Sequence, residues 1–228
     1  MKEQLIALIE QLKSDRRIAS FDEAATKQVI ILHVLSILGW DTYNINEVKP
    51  EYSVKGGNVD YALHPDDANK VFIEVKRVGE DLGKHQEQLL NYSFREGVNL
   101  SILTNGVAWW FYLPLIEGSW EQRKFYTIDL YDQESEVMAK HLVEYLGKIE
   151  VGSGNAFENA RIVHEGRQKE RSVTDALPRA WKGLISEPDE LLIDLIAETT
   201  EKMCGYRPDN QRVESFISSE VNQGDVPC

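Results

Sequence analysis

The sequence predicts a mixed α/β fold of the α+β kind, a β-sheet flanked by helices with a small helical appendage behind it. Three observations carry that expectation. Short apolar or alternating runs recur between residues 47 and 130, each bounded by Gly, Pro, Asn or Asp, which is how strands joined by turns read. One helical run, KHQEQLLNYSFRE over 84–96, interrupts those strands, and a helix linking a strand meander to a further strand implies a mixed sheet with helices packed on it. After residue 176 only helical patterns remain.

Leu5, Leu8, Ile9 and Leu12 recur at helical spacing, so residues 2–14 are expected as an amphipathic helix. Ser20-Phe21-Asp22-Glu23 reads as a capping box, with Ser20 as N-cap and Glu23 as its acid. A largely buried helix follows to Leu38, where Gly39 stops it and Trp40 packs on its end. Residues 47–52 suit an edge strand, because Pro50 cannot donate to a central ladder. Gly56-Gly57 turns the chain into the strand Asn58–Leu63, and Asp66–Asn69 turns it into Val71–Val78. Beyond the 84–96 helix come the strand Asn99–Thr104, the hairpin signal Asn105-Gly106, the aromatic strand Val107–Leu113 and a strand over Arg123–Leu130. A further amphipathic helix covers 133–149. Residues 1–150 therefore form the main domain, 151–172 a polar linker and 173–221 a small helical region. Helices are expected there over Ala176–Ile185, Pro188–Met203 and Asn210–Ser219, with 222–228 a frayed tail.

The 228 residues suffice for one substantial core, and 42% of them are apolar. No apolar run approaches the ~20 residues of a membrane span, and the N-terminus is too charged for a secretion signal. Cys204 and Cys228 are the only cysteines, too few for a disulfide framework or a cysteine zinc site. Together these point to a reduced, cytoplasmic protein with no membrane partner. The net charge is −13, and from Asp129 onward there are 20 acids against 11 bases. No basic stripe is visible, so tight, sequence-independent binding of DNA by this chain alone is not expected.

The residues that carry chemistry lie between Asp60 and Lys76. Asp60 stands on one strand, and Glu74 and Lys76 lie two apart on the next, which puts both on one face. Two carboxylates on neighbouring strands can hold a divalent cation such as Mg²⁺, with the Val75 carbonyl pointing to the same ion and Glu23 as an additional acid. A lysine beside them can contact a phosphate or orient the attacking water. Other chemistries fit less well. His64 and His85 have no His or Cys at ligand spacing and read as solvent-facing. Val151–Asn155 lacks the Gly-Lys-Ser/Thr of a phosphate-binding loop, so no ATP site is expected, and no Gly-x-Ser-x-Gly occurs.

Asp60 with Glu74-Val75-Lys76, in a helix–strand–strand–strand–helix–strand order, resembles the PD-(D/E)XK nuclease superfamily. More narrowly, it resembles the N-terminal nuclease domain of type I restriction enzyme R subunits and related predicted, type IV-like restriction endonucleases. The similarity covers about residues 15–130. It includes Glu23 leading a helix that ends Leu38-Gly39-Trp40, Pro50-Glu51-Tyr52 before Asp60, and Leu103-Thr104-Asn105-Gly106 before Trp-Trp-Phe-Tyr. Gln88 and Tyr92 match the family's Gln-x-x-x-Tyr motif, whereas Val59 stands where the superfamily has proline. The resemblance implies a restriction-endonuclease-like fold and a Mg²⁺-dependent (or Mn²⁺-dependent) DNA endonuclease in a restriction or DNA-defence system. It implies that Asp60, Glu74 and Lys76 are catalytic, and that Gln88 and Tyr92 position the site or the DNA. Motor and methyltransferase motifs are absent from the sequence, so translocation, specificity and methylation would fall to partner subunits or a further C-terminal part. A homodimer is compatible with this. The competing expectation is a catalytically inactive nuclease fold that binds DNA or assembles subunits.

Overall fold

The computed structural model describes residues 1–64 and 71–223, leaving aside the side chains of 220–223. The turn expected over Asp66–Asn69 and the end of the expected tail lie outside the described residues. Helix α1 (Lys2–Ser14) buries the four residues its periodicity marks, Leu5, Leu8, Ile9 and Leu12. After a 3₁₀ turn over Arg16–Ser20, a continuous helical stretch, α2, runs over 23–37. Its start differs from expectation. Asp22, not Ser20, is the N-cap: its side chain accepts from the Ala25 N–H at 2.8 Å, while the Ser20 hydroxyl donates to the Arg17 carbonyl. Aspartate caps as well as serine does, and Ser20 already closes the preceding turn. Glu23 therefore has no capping duty.

The middle of α2, Thr26–Ile31, is a π-type segment, a local widening often found at functional sites. Gly39, at φ 93°, ends the helix. The N–H groups of Gly39 and Trp40 bond back to Ser36 and Leu35, the paired bonds of a Schellman stop. The Trp40 indole donates to the Leu146 carbonyl at 2.8 Å and so ties this end to the far side of the unit.

The sheet has six strands: β1 (Val48–Val54), β2 (Gly57–Leu63), β3 (Val71–Val75), β4 (Leu100–Thr104), β5 (Ala108–Tyr112) and β6 (Lys124–Asp129). They lie in sequence order, antiparallel except for the parallel pair β3–β4, which helix α3 (Gln86–Arg95) connects. β1 is an edge, as Pro50 requires. β3 is shorter than expected and ends at Val75, although the Lys76 N–H still reaches the Thr104 carbonyl at 2.8 Å. Val71, Ile73 and Val75 pack on one face with α1, α2 and α5 (Ser135–Leu146); Phe72 packs on the other with Leu89 and Leu90 of α3. Between β4 and β5, the Asn105 side chain accepts from the N–H groups of Val107 and Ala108 and sets the tight turn. Gly106 sits there at φ 83°, and a Cβ at that position would come within 2.7 Å of the Ile30 side chain. The turn therefore lies directly against the π segment of α2.

A short helix, α4 (Trp120–Arg123), precedes β6; after α5 come α6 (Lys148–Ser153), α7 (Asn155–Ser186), α8 (Glu190–Cys204) and α9 (Asn210–Gln223). The expected linker over 151–172 is helical. Gly154, at φ 84°, makes only a brief break. Ala156, Ala160 and His164 then fall every fourth residue and are buried, and the His164 ring lies 2.8 Å from the Gln122 carbonyl. Its polar residues are the outer face of an amphipathic helix, held by pairs such as Arg161 with Glu158 and Glu165. For the same reason the helix expected over Ala176–Ile185 is the last part of α7.

The chain divides into two compact units, Met1–Arg167 and Gln168–Cys228. The second has a small core of Ile193, Ala197, Val213 and Ile217. Among the described residues no helix is long and apolar enough to cross a membrane.

Candidate functional site

The cluster between Asp60 and Lys76 is built where the sheet stops being regular. β2 and β3 pair from Leu63/Val71 to Tyr61/Ile73. One residue further, the Asp60 carboxylate takes the place of a partner backbone, accepting from the Val75 N–H at 2.6 Å. On the other side of β2, Pro50 pairs with Tyr61 and Tyr52 with Val59, while Glu51 between them has φ 47°. A positive φ is uncommon for a residue with a long side chain, and such strain concentrates at functional sites. Residues two apart on a regular strand share a face, yet here they do not. Val48 belongs to the α1–α2 side of the core, and Tyr52 and Val54 to the α3 side; on β2 the same change falls between Tyr61 and Val59. Both strands therefore exchange faces at Glu51 and Asp60, and the exchange frees the two acids from the ladder.

Asp60 and Glu74 are each 8% exposed, rare for carboxylates without partners. Lysines supply them. Lys27, from the π segment of α2, lies 2.5 Å from Asp60 Oδ1, 2.9 Å from Glu23 and 3.5 Å from Glu51. Lys76 lies 2.7 Å from Glu74 and 3.9 Å from Glu23. Burial alone would lower the Lys27 pKa, but its bonds to Asp60 and then Glu23 outweigh burial and hold the ammonium above the ordinary lysine value. Lys76 is raised in the same way, burial being outweighed by Glu74. Burial, and after it the charge of Asp60, push the Glu74 carboxyl above the usual glutamate value; Lys76 and the Asp60 N–H pull it back only in part. A buried carboxyl raised by burial and by a neighbouring acid marks a candidate functional group.

The structure thus brings together four of the residues singled out in the sequence, Glu23, Asp60, Glu74 and Lys76, with Val75 joined through its N–H. Gln88 and Tyr92 are placed differently. Gln88 Nε2 donates to the Tyr92 hydroxyl at 3.4 Å, and that hydroxyl donates to the Gly56 carbonyl at 2.9 Å. They hold the turn that leads into β2, and a Cβ on Gly57 would come within 2.4 Å of the Tyr92 hydroxyl. His64 faces the Tyr52 ring at 5.6 Å, and His85 lies 3.4 Å from Glu80, so neither simply faces solvent. A groove of about 300 Å³ between α1 and α2, lined by Leu8, Leu12, Ile18, Val29 and His33, contains none of the cluster residues.

Sequence reasoning missed Lys27 and Glu51. For Lys27 a signal existed, its spacing four residues after Glu23 on one helix face. For Glu51 none did, because its role follows from its backbone conformation. Oxygen donors suit a hard divalent cation, and the three carboxylates around Lys27 already converge on one positive charge. Among the described residues no three of His, Cys, Asp and Glu stand as a ready metal-binding group; the closest approach to a cation shell is the one around Lys27. No protein family, no curated protein and no solved structure matches this chain.

Proposed function

We propose that the chain carries a Mg²⁺-dependent DNA endonuclease of the PD-(D/E)XK kind, Mn²⁺ being an acceptable substitute, within a restriction or DNA-defence system. One observation carries the reading: Asp60 and Glu74 are buried together at the point where β2 and β3 part, with Lys76 bridging Glu74 to Glu23. A bound divalent cation supplies Lewis acidity at the scissile phosphate and a water that loses its proton near neutral pH. Asp60 Oδ1 and Glu74 would hold the ion, with Glu23 and the Val75 carbonyl as further oxygen donors. Lys76 stays charged at the edge of this set, where its ammonium meets the negative charge that grows on the phosphate. Gln88 and Tyr92 act through the Gly56 turn, which sets the start of β2 and hence the position of Asp60. ATP-driven translocation, sequence recognition and methylation belong to partner subunits on this reading, and the compartment is the cytoplasm.

The second reading is a catalytically inactive nuclease fold that binds DNA or assembles subunits. The pairing of Asp60 with Lys27 and of Glu74 with Lys76 favours it, since each buried acid already has a lysine partner and needs no metal to be held. Conversion of supercoiled plasmid with Mg²⁺, together with calorimetry using Mg²⁺ or Mn²⁺, separates the two. Wild type should cut, Lys76→Ala should cut about a hundredfold more slowly, and Asp60→Ala should lose metal binding. Metal binding that survives Asp60→Ala unchanged sinks the catalytic reading.

A further inference from the structure

Asp60 has one carboxylate oxygen to offer a ligand. The other, Oδ2, is held by the Val75 N–H at 2.6 Å and completes the ladder where β2 leaves β3. The available one, Oδ1, is 2.5 Å from the Lys27 ammonium, which also reaches Glu23 and Glu51. Three carboxylates from α2, β1 and β2 therefore surround one cation, and that cation is a side chain of the protein. A divalent ion bound to Oδ1 at ~2.1 Å would stand no farther than ~4.6 Å from the ammonium, which is 2.5 Å from the same oxygen, two like charges in a half-buried place. The two therefore compete for Oδ1. The lysine is the member that can leave, because its charge sits on a flexible four-carbon stem, rooted in a helix segment that is already widened.

We propose that Lys27 is a built-in counter-cation: it holds the place of the divalent ion, offsets part of the charge of Glu23, Glu51 and Asp60 until the ion arrives, and is displaced by it. This rests on the reading of Asp60 as a metal ligand and adds to it a competitor that sets how tightly metal is held. Lys27 is a positioning residue, acting on the acids and not on substrate. The exchange puts a charge of two where there was a charge of one. It also displaces an ammonium that was already there, so metal loading raises the charge among the three acids by less than the ion itself carries. Lys76 differs in its partners: its closest acid is Glu74 at 2.7 Å, it also reaches Glu23 at 3.9 Å, and Asp60 is not among its ion-pair partners.

The test is Mn²⁺ titration of the full chain, followed by loss of the free-ion electron spin resonance signal. It compares wild type, Lys27→Met, Lys27→Arg and Asp60→Asn. Removing the competitor should tighten Mn²⁺ binding about tenfold or more in Lys27→Met, the factor expected for release of an ion pair in a protected place. Lys27→Arg keeps the charge and should stay near wild type, and Asp60→Asn should abolish binding. A merely structural lysine would give the opposite sign, since a damaged site binds metal less well. Lys27→Gln, which keeps a donor for Asp60 without the charge, serves the same purpose if Lys27→Met does not fold. Unchanged or weaker binding in the neutral variants, with Asp60→Asn still abolishing it in wild type, overturns the competitor role and leaves the metal site standing. Binding that is absent, or indifferent to Asp60, in every variant overturns the metal-site reading itself.

Discussion

Around Phe111, Phe125 and Tyr145 the sheet meets α5 through aromatic rings whose centroids lie between 5.0 and 6.1 Å apart. Around Asp60 and Glu74 the same sheet meets α2 through two lysines and four carboxylates. Both places belong to one unit; the rings, Asp60 and Glu74 are buried, whereas Glu51 is exposed. The aromatic contact is non-directional and tolerates small shifts, because each ring touches several neighbours. The charged contact holds only while every partner is present, since a buried charge left alone is costly. A sheet meant only to be stable has no need of the second kind, and its presence marks where the fold gives up regularity.

Truncation in the two places should cost similar amounts for different reasons. Phe111→Ala leaves a cavity and should lower stability by about 3–5 kcal/mol, largely independent of salt and pH. Asp60→Ala takes from Lys27 its nearest acid and from the Val75 N–H its acceptor, and should also cost about 3–5 kcal/mol, but with a loss that varies with salt. Urea denaturation of both variants across salt concentrations checks this; equal responses would break the contrast.

Glu74 sharpens it further. Its carboxyl is raised above the ordinary glutamate value in the fold, by burial first and Asp60 second. A group with a raised folded pKa favours folding most below its unfolded pKa, and that advantage is lost as pH rises through the folded value. Glu74→Gln should remove this slope. The stability of wild type relative to the variant should fall as pH climbs from below the usual glutamate range toward neutrality. A difference that stays flat in denaturation curves over that window would show that Lys76 fully offsets the burial of Glu74. The smallest effect is expected at Tyr92. Tyr92→Phe loses the exposed hydrogen bond to the Gly56 carbonyl and the longer one from Gln88, together worth about 0.5–1 kcal/mol, and thermal unfolding would register the loss as a minor shift.

Much of the fold was legible because its signals are local. Leu5, Leu8, Ile9 and Leu12 declare α1, Pro50 declares an edge, and Asn105-Gly106 declares a hairpin, all by chemistry within a few residues. The α7 segment before Arg171 was misread as linker because its buried side are small residues, Ala156 and Ala160, and its outer face is charged. The neighbourhood of Asp60, Glu74, Lys76 and Glu23 was legible as a pattern of acids and a lysine. Who pairs with whom was not. That Lys27, and not Lys76, takes the Asp60 carboxylate depends on a π turn and on one positive φ at Glu51, and neither leaves a trace in composition or spacing. Gln88 and Tyr92 kept their helical pairing, but their partner, the Gly56 carbonyl, is a backbone group that no side-chain motif can name.

The edge at β1 has a consequence beyond the site. An open strand edge is a template on which a second chain can grow a continuous sheet, the first step of aggregation. Here Pro50 offers no N–H, and the next residue, Glu51, turns its backbone out of the extended form. The row of donors and acceptors on that rim is thus broken at its middle by the same distortion that frees Asp60. Whatever the cluster does, the kink that makes it also leaves this rim a poor template for a second sheet.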